Sequence, residues 1–141
     1  MNIIQTAISG VVIIEPSVFE DHRGMFYESF NVQKYQAFGI SETFVQDNES
    51  HSVKGVVRGL HIQLPPTAQG KLYRVIRGAV QAVAVDCRVD SPTLGQHVNG
   101  VLSEENRRQL WVPRGFASGC GAITDDVIFS YKVDNYHSKE C

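Results

Sequence analysis

The most constraining feature of the chain is a succession of short β-type runs separated by glycine and proline. They are GVVIIEP (10–16), GMFYESF (24–30), TFVQDN (43–48), GVVRGLHIQL (55–64), KLYRVIRG (71–78), AVQAVAVDCR (79–88), HVNGVLS (97–103), QLWVP (109–113) and VIFSYKV (127–133). Even spacing and turn chemistry such as Pro65–Pro66, Arg77–Gly78 and Ser91–Pro92 predict an all-β chain of about nine antiparallel strands. The one helical segment predicted is FNVQKYQAFG, with Asn31 as its cap and Gly39 as its stop. Such a chain closes as a double-sheet jelly roll or a small barrel, with its ligand in the barrel mouth. Alternation along a strand places Lys71, Tyr73 and Val75 on one face, and His61 with Gln63 on another. Ala82 and Ala84 share a face of small side chains, which leaves room in a lumen.

No linker, repeat or low-complexity segment divides the 141 residues, so a single domain over 1–141 is expected. A formal net charge of −2 supplies no cationic field for nucleic acid or an anionic membrane. The N-terminal stretch has no basic leader and no apolar block of roughly 18 residues, which is read as cytoplasmic sequence. Cys87, Cys120 and Cys141 are far apart and form no CxxC, so reduced thiols are expected rather than a disulfide framework or structural zinc.

The stretch VRGLHIQLPPTAQGKLYRVIRG (57–78) carries the candidate chemistry. A histidine such as His61 in a β-strand is more often structural than catalytic, but an inward-facing Lys71 is costly without a task or partner. With Arg58 they supply a base, a group to stabilise developing negative charge and an anion ligand, the minimum for proton abstraction beside a carbonyl. Metal binding is the rival role for a barrel histidine; among His22, His51, His61, His97 and His137 there is no His-x-His pair, and no metal site is expected. The turn DHRGMFYES supplies Arg23 and Glu28, QDNES supplies Gln46 and Asn48, and Tyr131 is a possible proton donor; alone, each also suits a turn or a packing role.

Taken together, FEDHRGMFYESF, FVQDNESHSVKGVVRGLHIQLPPTAQGKLYRVIRG, VDCRVDSPTLGQ, LSEENRRQLWVPRGFA and SYKVDNY resemble the dTDP-4-dehydrorhamnose 3,5-epimerase family of cupin-like sugar-nucleotide epimerases. The resemblance implies a jelly-roll fold, no cofactor, a nucleotide-sugar ligand and a homodimer in which N-terminal strands exchange. It implies that His61 removes the proton from carbon 3 or 5 of a 4-keto sugar, that Lys71 stabilises the enolate oxygen and that Tyr131 returns a proton from the opposite face. Arg23, Phe26, Glu28, Gln46, Asn48 and Arg58 match positions that hold the nucleotide and sugar.

The chain departs from the family pattern around the proposed chemistry. GFAHGF reads GFASGC, which puts Ser118 and Cys120 where the family has histidine and phenylalanine. Ala82 stands at an aspartate position and His137 at a tyrosine position. The aspartate that pairs with the family's catalytic histidine belongs to a C-terminal segment expected to be lacking here, with Asp86 or a partner subunit as possible substitutes. An impaired or inactive member that binds a nucleotide sugar or another small ligand is therefore the alternative expectation.

Overall fold

The computed structural model, which describes residues 1–141, has twelve strands and one short helix, ten of the strands forming two stacked sheets and two a separate hairpin. The strands are β1 (Asn2–Gln5), β2 (Val12–Glu15), β3 (Val18–Asp21), β4 (Gly24–Tyr27), β5 (Gln46–Ser52), β6 (Val57–His61), β7 (Lys71–Arg77), β8 (Ala79–Asp86), β9 (His97–Ser103), β10 (Gln109–Val112), β11 (Phe116–Ala122) and β12 (Val127–Val133); α1 spans Val32–Ala37. One sheet runs β1-β2-β10-β7-β12-β5 and the other β6-β11-β8-β9, all antiparallel, while β3 and β4 pair only with each other. The expected all-β jelly roll is the fold observed. No helix is long and apolar enough to cross a membrane.

Strict alternation decides which face each strand buries. In β8 and β11 every second residue is buried, and these residues pack against Tyr73, Val75, Leu110 and Phe129 of the facing sheet. β10 is buried at all four positions because its two faces meet different partners. Leu110 and Val112 face the inter-sheet core, whereas Trp111 joins Val12, Ile14 and Leu72 under Tyr35 and Ile40. The helix is placed by that second cluster: Asn31 caps it through the Lys34 amide, and the buried Tyr35 hydroxyl donates to Gln109 Oε1 at 2.6 Å.

Three strands escape the sequence pattern. β1 and β3 are four-residue strands outside the expected runs, and β11, FASGCGA, has a composition that ordinarily disfavours strands. Its glycines answer to packing. A Cβ at Gly119 would run into the Arg58 carbonyl oxygen, and one at Gly59, which also has φ of +105°, would lie 2.8 Å from the Ser118 carbonyl oxygen. The β5 run expected at 43–48 lies at 46–52 instead, because Phe44 turns into the second cluster and packs edge-on against Trp111. The composition of VRGLH reads as that of a half-buried, interior strand, and the structure corrects this reading. β6 is an edge strand paired only with β11, all five of its residues are exposed, and Val57 is 74% exposed.

Gly119→Ala should therefore lower stability by about 1–3 kcal/mol, since backbone rather than a movable side chain blocks the methyl group. Gly100→Ala, where the nearest atom is Ile13 Cδ1 at 3.6 Å, should shift it by no more than about 0.5 kcal/mol. Urea midpoints of the two variants measure the difference; equal midpoints would show that β6 and β11 can separate freely.

Candidate active site

The two sheets enclose a cavity of about 490 Å³ lined by Arg58, His61, Lys71, Tyr73, Ser118 and Tyr131, with Ser50, Cys120 and Phe129 beside them. Its walls come from edge strands β5 and β6 and from their neighbours β12, β7 and β11. A register shift sets two β6 residues, Gly59 and Leu60, against the single Gly119 of β11; this bulge in β6 leaves Ser118 opposite His61 and Cys120 opposite Arg58. Arg58 spans the two edges: its Nε donates to Ser52 Oγ at 3.0 Å and its NH2 to the His51 carbonyl at 3.2 Å.

The end of β6 that carries His61 and the end of β7 that carries Lys71 are both pinned. Gln63, just past His61, is buried and bonds the Thr67 and Tyr136 carbonyls, while its Oε1 accepts from the Ser138 amide at 2.8 Å. Asp134, just past β12, accepts the Gly70 amide at 2.7 Å and the Arg114 Nε at 3.0 Å. This fixes the start of β7 where Lys71 leaves it. The floor is tied across the sheets by Tyr73 Oη and Ser118 Oγ, 2.7 Å apart and both buried. Tyr73 stacks on Phe129 at 5.1 Å and meets Tyr131 at 5.2 Å.

Lys71 is the unusual group. It is 9% exposed and makes no salt bridge or hydrogen bond in the chain; its nearest charge-stabilising surface is the Tyr131 ring, 5.9 Å from Nζ. Burial pulls its pKa down. Burial likewise pushes the Tyr73 phenol and the Cys120 thiol up, the latter opposed by the Arg58 charge. Ala82 sits opposite Cys120 in the register, so no carboxylate rises from β8 toward the lysine.

Of the residues expected to act together, Arg58, His61, Lys71 and Tyr131 meet in this cavity. Gln46 and Asn48 share the adjoining edge: Gln46 Nε2 donates to Asn48 Oδ1 at 2.9 Å, and Asn48 lies opposite Tyr131. Arg23, Phe26 and Glu28 do not line it within one chain, because the β3–β4 hairpin joins neither sheet. Arg23 pairs with Asp21, Glu28 with Lys34 at 2.8 Å, and Phe26, 71% exposed, lines a separate cavity of about 500 Å³ with Phe19 and Phe38. Asp86 is not a substitute partner for His61. It is buried among Arg88, Ser91 and Thr93, whose hydrogen bonds, Arg88 foremost, hold its pKa far below the usual range.

Tyr73 and Ser50 were not singled out from the sequence as site residues. The signal for both is alternation, since Tyr73 follows Lys71 by two and Ser50 follows Asn48 by two. Ser118 was noted only as a departure; its bond to Tyr73 required the facing sheet. No group of three or more His, Cys, Asp or Glu side chains is arranged to hold a metal ion.

Comparison with known proteins gives one answer. A family model described as dTDP-4-dehydrorhamnose 3,5-epimerase matches residues 5–141. The chain is 54% identical over 140 residues to the dTDP-4-dehydrorhamnose 3,5-epimerase of Shigella flexneri, covering 99% of this chain and 77% of that one. The Bacillus anthracis dTDP-4-dehydrorhamnose 3,5-epimerase, solved with TDP and PPi bound, superposes with a TM-score of 0.96 at 44% identity, over 99% of this chain and 80% of that one. The Legionella pneumophila dTDP-6-deoxy-D-glucose-3,5-epimerase, in complex with dTDP-4-keto-L-rhamnose, gives 0.95 at 50% identity, over 99% and 74%. With cavity, sheet order and sequence in agreement, the chain belongs to the dTDP-4-dehydrorhamnose 3,5-epimerase family.

Proposed function

We propose that the chain epimerises a 4-keto-6-deoxy sugar nucleotide, as a step of rhamnose or related deoxysugar biosynthesis in the cytoplasm. The observation that carries this reading is that His61 and Tyr131 enter one cavity from facing sheets, with Lys71 beside them. Inversion at carbon needs a base on one face of a planar enolate and an acid on the other, and residues from opposing sheets meet that need. His61 takes the proton acidified by the adjacent ketone, Lys71 stabilises the charge that develops on the ketone oxygen, and Tyr131 delivers a proton to the opposite face. The chemistry calls for no cofactor.

Arg58, Gln46 and Asn48 line or adjoin the mouth and suit the nucleotide diphosphate and sugar. Arg23, Phe26 and Glu28 serve the same ligand from the hairpin of a partner in a homodimer. Support for the dimer is the hairpin itself, which pairs with neither sheet and exposes Phe19 and Phe26, together with the exposed Val57 and Leu60 of β6. A second reading, nucleotide-sugar binding with impaired catalysis, is favoured by one observation: three of the departures are neighbours, Ser118 and Cys120 lining the cavity and Ala82 standing opposite Cys120 in the register.

Incubation with dTDP-4-keto-6-deoxyglucose, followed by proton NMR of the product, tests the leading reading. Inverted product should form, and His61→Ala should slow it by about 10²–10⁴-fold and Lys71→Met by about 10²–10³-fold. Calorimetric binding of dTDP without turnover would establish the second reading instead. Sedimentation should give about twice the 15.7 kDa chain mass; a monomer would leave the hairpin residues without a site.

Lys71 also sets a stability test. Its folded pKa lies below the ordinary value of 10.5, so between the two the unfolded chain holds more protons and stability rises with pH. Lys71→Met should therefore melt at a higher temperature than the parent at pH 7, the gap narrowing as pH passes 10.5. A lower melting temperature at pH 7 would mean that the ammonium is satisfied in the fold.

A further inference from the structure

We propose that Tyr73 and Ser118 form a proton relay across the cavity floor, returning to Tyr131 the proton that His61 takes from the sugar; this rests on the reading of the cavity as a keto-sugar epimerase site. One turnover leaves His61 protonated and Tyr131 ionised, so the pair must be reset before it acts again. The fold places two hydroxyls between them. Tyr73 Oη and Ser118 Oγ lie 2.7 Å apart, joining the two sheets, and their residues are 4% and 2% exposed. Ser118 stands opposite His61 in the β6–β11 register, and Tyr73 opposite Tyr131 in the β7–β12 register. Opposite residues carry their Cβ atoms on one face about 4.5–5.5 Å apart, within reach of a direct hydrogen bond or a bridging water. All four residues line the same cavity, and the Tyr73 and Tyr131 rings meet at 5.2 Å. From base to acid the order is therefore His61, Ser118, Tyr73, Tyr131.

Hydroxyls suit this task because each both donates and accepts, and either partner of the Tyr73–Ser118 bond can be the donor. The imidazolium of His61 gives its extra proton to Ser118 Oγ as the Ser118 proton passes to Tyr73 Oη and the Tyr73 proton passes to the Tyr131 phenolate. Each hydroxyl gains one proton and loses one, no bond to carbon changes, and His61 and Tyr131 return to their starting forms. A phenolate holds a proton more tightly than an imidazole does, so the return runs downhill. Burial pushes the Tyr73 phenol up, and Tyr131 opposes a charge on it, so Tyr73 passes its proton in concert with the one it receives rather than as a free phenolate. Lys71 keeps its place beside the ketone oxygen. Because both hydroxyls lie on the floor, beneath a ligand in the cavity, the reset needs no bulk water.

The test is the steady-state rate at which the intact protein epimerises dTDP-4-keto-6-deoxyglucose in dilute buffer, followed by proton NMR, for Tyr73→Phe, Ser118→Ala and the double variant. The double variant removes both hydroxyls, so neither is left buried without a partner. Each variant should lower kcat roughly 10-fold with KM unchanged, less than loss of His61 because water still resets the pair slowly. The double variant should lose no more than either single one, since a chain broken once is already broken. Added imidazole, which carries protons into the cavity, should restore kcat in the variants and leave the parent unchanged; a merely structural tie gives no such rescue. Variants as fast as the parent in dilute buffer, or slowed without imidazole rescue, overturn the relay and leave the epimerase reading standing. Loss of dTDP binding by the double variant in calorimetry would make the pair a structural tie and overturn the relay also. A parent protein that binds dTDP and inverts nothing overturns the epimerase reading, and the relay with it.

Discussion

The site depends on the close approach of two backbones. Where the bulge in β6 meets β11, Gly59 and Gly119 leave room for each strand to pass the carbonyls of the other, and any side chain there would push the strands apart. This contact sets His61 opposite Ser118 and Arg58 opposite Cys120, and so turns an exposed edge strand into one wall of a cavity. The other wall is the β7–β12 pair, which carries Lys71, Tyr73 and Tyr131. A hydrogen bond between Tyr73 and Ser118 ties the two walls together at the floor.

The same geometry imposes a conflict between stability and function. A buried lysine without a partner is expensive, and the fold supports it through packing elsewhere, with the aromatic stack of Tyr73, Phe129 and Tyr131 and a second core under α1. Asp134 and Gln63, by contrast, are buried polar groups whose hydrogen bonds are satisfied, and they hold the loops that precede Lys71 and follow His61. Polar groups that shape the cavity are thus paired, and Lys71, which lines it, is not. Ala82 sharpens this asymmetry by offering no polar group, and the Ser118 hydroxyl is bonded to Tyr73 rather than to Lys71.

Much of this was legible from residue order because β-strand alternation is a local property. KLYRVIR and AVQAVAVD show their buried faces directly, and Asn31 announces the helix it caps. β11 was hidden because its glycines satisfy a neighbour on another strand, which local propensity does not record. The exposure of β6 was hidden for a related reason: VRGLH has interior composition, and only sheet order reveals that nothing in the chain covers it. Arg58, His61, Lys71 and Tyr131 converge as expected because they lie on strands whose pairing alternation and turns dictate. Arg23, Phe26 and Glu28 sit apart because the β3–β4 hairpin pairs with neither sheet, and residue order alone does not show where a hairpin docks.

The central claim is that this cavity, with its altered floor, still breaks a carbon–hydrogen bond beside a ketone. Hydrogen exchange at that carbon reports the elementary step independently of net inversion. Proton NMR of dTDP-4-keto-6-deoxyglucose in heavy water should show loss of the carbon 3 or carbon 5 signal with the parent protein and none above background with His61→Ala. Persistence of both signals with the sugar nucleotide demonstrably bound would contradict the account, leaving a nucleotide-sugar site that holds its ligand without turning it over.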